Sequence, residues 1–165
     1  MNKKGGSFFK DMSNNQIQIT KHGLEALEKE LDILKGAKRP KLVERLSRAR
    51  EEGDLSENND YQNAKDELEF LDGRISELEE VIKSAAVVKG NGANHTVDIG
   101  TSVTVKVDGS KSIYKIVGDW EANPVEKKIS HTSPLGQALV GKKPGDKVEV
   151  EAPAGKIIYE ILAID

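Results

Sequence analysis

The stretch "EEGDLSENNDYQNAKDELEFLDGRISELEEVI", residues 51–82, carries the pattern that decides the fold. Tyr61, Ala64, Leu68, Leu71, Ile75, Leu78 and Ile82 recur at alternating three- and four-residue steps without a miss. That is the seam of a coiled-coil helix. Its partner lies upstream. Leu24, Leu27, Leu31 and Leu34 repeat the spacing, and Leu42, Leu46 and Ala49 resume it shifted by about one position. Between the two sets, "GAKRP" (36–40) brings in Gly36 and Pro40, both unfavourable inside a helix. This predicts a bend or local irregularity resembling a coiled-coil stutter. Only "GDLS" or so links the two runs, and short links make neighbouring helices antiparallel. Residues 17–89 therefore read as a coiled-coil hairpin with Thr20 as the first N-cap. At 1.5 Å per residue each arm is about 40 Å long.

Charge is sorted along this hairpin. From Lys35 to Arg50 there are seven basic residues and one acid, Glu44; from Asp66 to Glu80 there are seven acids and one base, Arg74. The formal net charge of −3 hides the separation. The 165-residue chain is 36% hydrophobic and 32% charged, which gives room for one large or two small domains with a modest core. Cys is absent, so disulfides and Cys-ligated metals are excluded, as suits a cytoplasmic protein. His22, His95 and His131 are scattered, with no zinc-like spacing. No apolar run reaches the length of a membrane span. "MNKKGGSFFKDM" lacks the apolar core of a signal peptide, and residues 1–16 read as a flexible basic extension.

After Lys89 the texture changes. "GNGANH" (90–95) reads as a linker or turn. "TVDIGTSVTVKV" and "KSIYKIVGD" flank "DGS", a hairpin signal, and "KVEVEA" and "KIIYEILA" flank "PAG" in the same way. Between them, Ser133 and Pro134 start a short helix and Gly141 stops it. Residues 90–165 thus form a small antiparallel sheet domain with one short helix, and the whole chain is α+β.

The break between the arms holds two carboxylates, Asp54 and Glu57. Their three-residue spacing fits a capping box, with Ser56 as an alternative cap, and on spacing alone capping is the stronger reading. The position argues for more. The pair sits at the end of a long rod, and Arg48, Arg50 and Lys65 lie near it. A basic approach to paired carboxylates suits guiding a polyanion and then holding a divalent cation. Mg²⁺ accepts one or two protein carboxylates and fills its other positions with substrate oxygens and water. Two tip carboxylates do not make a full site, but they complete one that a partner supplies.

The run "RAREEGDLSENNDYQNAKDE" (48–67) resembles the tip signature "GDL.EN..Y..A" of the bacterial Gre transcript-cleavage factors. "ISHTSPLGQALVGKKPGDKVEVEAPAG" (129–155) and "YKIVGDWEA" (114–122) resemble the C-terminal stretch of the same family, closer to its GreA branch than to GreB. The similarity runs from about Ile17 to Ile164. It implies an antiparallel coiled coil followed by a domain like the FKBP-type prolyl isomerases. The same resemblance implies that the chain stimulates bacterial RNA polymerase to cleave a backtracked transcript. The factor would act as a monomer and would not be catalytic alone. The second domain would dock at the β′ rim of the secondary channel through Thr132, Ser133 and Pro134. The hairpin would pass down the channel. Asp54 and Glu57 would help hold the second catalytic Mg²⁺, shared with the polymerase and not bound stably by the factor alone. Arg50 and Lys65, joined by Arg45 and Arg48, would contact the nascent RNA 3′ end, and Leu55 and Tyr61 would support the tip. Each docking residue also fits an ordinary helix start, and Tyr61 an ordinary seam position.

Three other functions compete. A non-cleaving secondary-channel regulator would not keep the plain Asp-and-Glu tip seen in "GDLSEN". An FKBP-like peptidyl-prolyl isomerase needs an aromatic-walled pocket, and the second domain offers only Tyr114, Trp120 and Tyr159. A purely structural coiled coil explains the seam but neither the charge sorting nor the second domain.

Overall fold

The computed structural model describes residues 16–54, 57–90 and 95–165. The N-terminal extension up to residue 15, Leu55, Ser56 and most of the 90–95 linker lie outside the described residues. The chain opens with strand β1 (Ile17–Thr20), then helix α1 (Lys21–Ile33), a π-helical turn (Leu34–Lys38) and helix α2 (Arg39–Glu51). Helix α3 (Asn59–Ser84) returns and runs straight into strand β2 (Ala85–Val88). Thr20 caps α1 as expected, its hydroxyl accepting from the Gly23 N–H at 3.1 Å. The 26 residues of α3 span about 39 Å.

Every predicted seam residue is buried or half-buried, from Leu24 to Ala49 on one arm and from Tyr61 to Ile82 on the other. The irregularity falls where Gly36 and Pro40 predicted it. It is a π turn and not a stutter: the Arg39 N–H donates to the Leu34 carbonyl five residues back. One wide turn absorbs one extra residue, which is the one-position shift between Leu34 and Leu42.

The sorted charges form largely a ladder across the hairpin. Lys35 pairs with Glu79 (2.6 Å), Arg39 with Asp72 in bidentate fashion (2.7 and 3.2 Å), Arg74 with Glu30 (3.0 Å), and Arg45 with both Asp60 and Glu67. Arg39 holds the Asp72 carboxyl below its ordinary range, by hydrogen bonding first and charge second. Such exposed pairs contribute little each, but they fix the pairing of the arms.

Two strands at the hairpin base were not legible as strands. β1 and β2 pair in parallel, Ile17 opposite Ala85 and Thr20 opposite Val88. The second domain is built on β3 (Ser102–Val107), β4 (Ser110–Val117), β5 (Lys128–Ser130), helix α4 (Pro134–Leu139), β6 (Lys147–Ala152) and β7 (Gly155–Ile164). Its strand order is β5-β4-β3-β7-β6. Both predicted hairpins form. In the first, Asp108 and Gly109 both take positive φ (48° and 80°), the two-residue turn that matches strand twist. The expectation of a purely antiparallel sheet needs correction, because β5 lies parallel to β4. The 3₁₀ turns at Asp119–Glu121 and Pro124–Glu126 supply the crossover, and they are too short and polar to announce a change of direction.

Two apolar clusters hold the molecule together. Ile19, Leu27, Leu34, Ile75, Leu78 and Val81 fill the hairpin base. Val97, Ile99, Val103, Val105, Ile116, Leu139, Val148 and Ile161 fill the sheet domain, with Tyr114 and Tyr159 packed against them. Among the described residues, no helix is long and apolar enough to cross a membrane.

Candidate functional site

The seam reaches the tip with two alanines. Ala49 and Ala64 are the buried seam residues there, with 1% and 0% exposure. Small side chains let the two backbones come close, as a larger residue would not. Gly53 ends the ascending arm at φ 138°, a conformation that L side chains rarely adopt. The Glu57 N–H then reaches back toward the Asp54 carbonyl at 3.4 Å, which links the backbones of the two acidic residues. Both are exposed.

The capping expectation is corrected here. Helix α3 is capped by Asn58, whose side-chain oxygen accepts from the Tyr61 N–H at 3.1 Å. The Asp54–Glu57 box is not the N-cap of α3, and the Ser56 alternative lies outside the described residues. Asn58 does a second job, because its Nδ2 donates to the Ala49 carbonyl at 2.6 Å and ties the descending arm to the ascending one. The signal for this was present: Asn is a favoured cap and stands three residues before the first seam residue. Asn58→Ala should cost about 1 kcal/mol of cap energy and loosen the tip. A fall in the thermal midpoint of the helical circular dichroism checks this.

The basic residues divide into two groups. Arg45 is held by Asp60 and Glu67, and these contacts push its pKa further up. Arg48, Arg50 and Lys65 are exposed and make no ion pair among the described residues. Tyr61 is half-buried and lines a shallow hollow of about 190 Å³ with Val43, Leu46, Ser47 and Arg50. Its half-buried position fits the seam.

The second cluster lies between β5 and α4. Ser133 caps α4: its hydroxyl accepts from the Gly136 N–H at 3.0 Å and donates to the Ser130 carbonyl at 2.7 Å. Pro134 takes the first helical position, where its missing N–H costs nothing. Ser133 is half-buried, while Thr132 and Pro134 face solvent. Capping and outward presentation thus fall on neighbouring residues. Asp119, which sequence reasoning did not single out, accepts hydrogen bonds from the hydroxyls of Ser130 and Thr132. Those hydroxyls hold its carboxyl below the ordinary value. No local pattern announces a contact between residues eleven and thirteen apart. Gly136 sits so close to β5 that a Cβ there would fall 1.9 Å from the Ser130 carbonyl oxygen.

The three aromatics of the second domain are all committed to packing. Tyr114 and Tyr159 lie against the sheet core, and Trp120 packs against the hairpin base under the Arg74 guanidinium, 6.0 Å from its ring centre. They do not wall a proline pocket.

Two family models match the chain. The family model described as "Transcription elongation factor, N-terminal" matches residues 17–87. That described as "Transcription elongation factor, GreA/GreB, C-term" matches residues 92–165. The transcription elongation factor GreA of Bacillus cereus strain AH187 is 44% identical over 149 residues, 88% of this chain and 94% of its own length. GreA of Bacillus subtilis strain 168 is 43% identical over 148 residues, again 88% and 94%. The crystal structure of GreA factor homolog 1 of Thermus thermophilus aligns with 91% of this chain and 99% of its own, at 27% identity and a TM-score of 0.43. The class is that of the transcription elongation factors. The chain belongs to the GreA/GreB family, and its curated relatives make it a factor of the GreA type.

Proposed function

We propose that the chain stimulates RNA polymerase to hydrolyse the transcript of a backtracked elongation complex. In that state the RNA 3′ end has left the active site and threads out through the secondary channel. The sheet domain docks at the channel rim through Thr132, Ser133 and Pro134, the hairpin passes down the channel, and the tip delivers Asp54 and Glu57. The observation that carries this reading is the tip itself. Asp54 and Glu57 stand exposed where the two arms meet, next to a helix whose N-cap is Asn58.

The donor set fits the ion. Both groups are hard anionic oxygens on an exposed turn, and Mg²⁺ takes one or two such carboxylates when substrate phosphates and water complete its shell. A second Mg²⁺, when bound, supplies charge stabilisation for an in-line displacement at phosphorus. The chain's own residues do the rest. Asp54 and Glu57 offer the oxygens that raise the occupancy of a weak site, the small buried Ala49 and Ala64 suit a slender tip, and Asn58 ties the two arms together. Arg48, Arg50 and Lys65 face outward to meet the phosphates of the extruded RNA. Hydrolysis leaves a new 3′-hydroxyl in register, and the bond is cut by the polymerase's active site. One arm fills one channel, so a single copy acts.

The test is the pair of basic groups. Arg50→Ala should weaken stimulated cleavage, and the salt dependence of factor action should fall by about one unit of slope, as for one lost phosphate contact. Its melting temperature should not move. Arg45→Ala should leave the salt slope unchanged, because its guanidinium is already held by Asp60 and Glu67, and should lower the melting temperature only slightly. Equal salt slopes for wild type and Arg50→Ala would remove Arg50 from the RNA path.

A further inference from the structure

The 3₁₀ turn at Asp119–Glu121 joins β4 to the crossover, and its three consecutive side chains grip three different parts of the molecule. Asp119 accepts from the hydroxyls of Ser130 and Thr132, which shape the loop before α4. Ser130 in turn accepts from the Thr132 N–H at 3.1 Å. Trp120 packs on the apolar cluster of the hairpin base, beneath Arg74. Arg74 lies on the descending arm and is itself pinned by Glu30 of the ascending arm (3.0 Å) and by Glu77 (2.8 Å). Glu121 accepts from the backbone N–H of Thr20 at 2.8 Å, from the Thr20 hydroxyl, and from the Gly118 N–H at 3.3 Å. Thr20 is the cap on which α1 begins.

The fit around this turn leaves no slack. A Cβ on Gly23, in the first turn of α1, would fall 2.1 Å from the Glu121 carboxyl carbon. A Cβ on Gly118 would fall 2.1 Å from the Gln18 carbonyl oxygen in β1. Glycines stand where the second domain and the hairpin base touch.

Geometry makes this contact matter at the far end. The arm is about 40 Å long. A tilt of about 5° at its base moves the tip by about 3.5 Å, and a misplacement of about 1 Å at a reacting centre can cost about 100-fold in rate. We infer that Asp119, Trp120 and Glu121 are positioning residues that lock the direction of the hairpin to the loop 130–134, so that docking at one end aims the carboxylates at the other. This rests on the function proposed above. None of the three touches RNA or metal. They act through Thr132, the hairpin base and Thr20.

The lock is tested in the full chain with two readouts. The sequence has no Cys, so spin labels placed at Glu52→Cys and at the exposed Val125→Cys report the distance between tip and sheet domain. The wild-type background should give one narrow distance distribution, Trp120→Ala and Glu121→Ala a broad or displaced one, and Trp120→Phe a narrow one again. In cleavage of backtracked complexes, the two Ala variants should lose about 10-fold or more of the rate at saturating factor, while the concentration for half-maximal action moves less than about 3-fold. Trp120→Phe should restore most of that rate. If Trp120→Ala fails to fold by circular dichroism, Glu121→Ala decides, since it removes hydrogen bonds and leaves both apolar clusters whole. An unchanged distance distribution would overturn the inference. So would a broadened one with full saturating rate, or a loss confined to half-maximal concentration. If the wild-type protein stimulates no cleavage, the proposed function fails, and the distance distributions still decide whether the turn is a lock.

Discussion

Asp54→Asn and Glu57→Gln should each lower factor-stimulated cleavage on the order of 100-fold, the scale of losing one preorganised charge-stabilising group at a reacting centre. Both substitutions keep size, exchange one accepting oxygen for a donating amide nitrogen and remove one negative charge. Neither should unfold α3, whose N-cap is Asn58. Neither should change docking, because the loop 130–134 belongs to the other domain. The loss should therefore appear in the rate at saturating factor. Raising Mg²⁺ should recover part of it, since the deficit is one of ion occupancy. Normal cleavage by both variants would reduce the tip to a turn with two solvated acids.

Gly136→Ala should have the second-largest effect, and at the opposite end of the molecule. The added methyl carbon would meet the Ser130 carbonyl oxygen at 1.9 Å and the His131 Cα at 3.0 Å. These are backbone atoms and do not swing aside as a side chain does. The strand β5 and the helix α4 must separate, at a cost of about 1–3 kcal/mol. Separation pulls Ser133 away from the Ser130 carbonyl it bonds at 2.7 Å and displaces Thr132 and Pro134. The expected result is a loss of polymerase affinity of about 10-fold or more, the equivalent of about 1.4 kcal/mol, as read by competition with labelled wild-type protein. The tip remains intact, so saturating rates should approach wild type once enough factor is added. Wild-type affinity for Gly136→Ala would remove the loop from the docking surface.

The hairpin was legible because its information is periodic and local. The seam residues from Tyr61 to Ile82 repeat within one helix, and Gly36 with Pro40 marked the π turn by their own chemistry. The turn at Asp108–Gly109 was legible for the same reason, since few residue pairs take two positive φ values. What was hidden depended on partners distant in sequence. β1 and β2 are four residues each and exist because they pair with one another across the length of the hairpin. The parallel placement of β5 depends on two 3₁₀ turns that carry no periodicity. The sorted charges were legible as sorted, but only the antiparallel pairing of the arms showed that Lys35, Arg39 and Arg45 are matched by Glu79, Asp72, Asp60 and Glu67. That leaves Arg48, Arg50 and Lys65 as the outward-facing cations near the tip. Asp119 and Glu121 were invisible as functional residues, because each acts on a segment that the sequence places elsewhere.

The most direct measurement adds the purified chain to a halted elongation complex, backtracked on a defined template and carrying RNA labelled at its 5′ end. The expected result is Mg²⁺-dependent shortening of that RNA, faster than with polymerase alone, followed by full extension when nucleotides are restored. The chain without polymerase should leave the RNA intact. A transcript that keeps its length while the factor is bound would contradict the account and make the hairpin a plug in the channel.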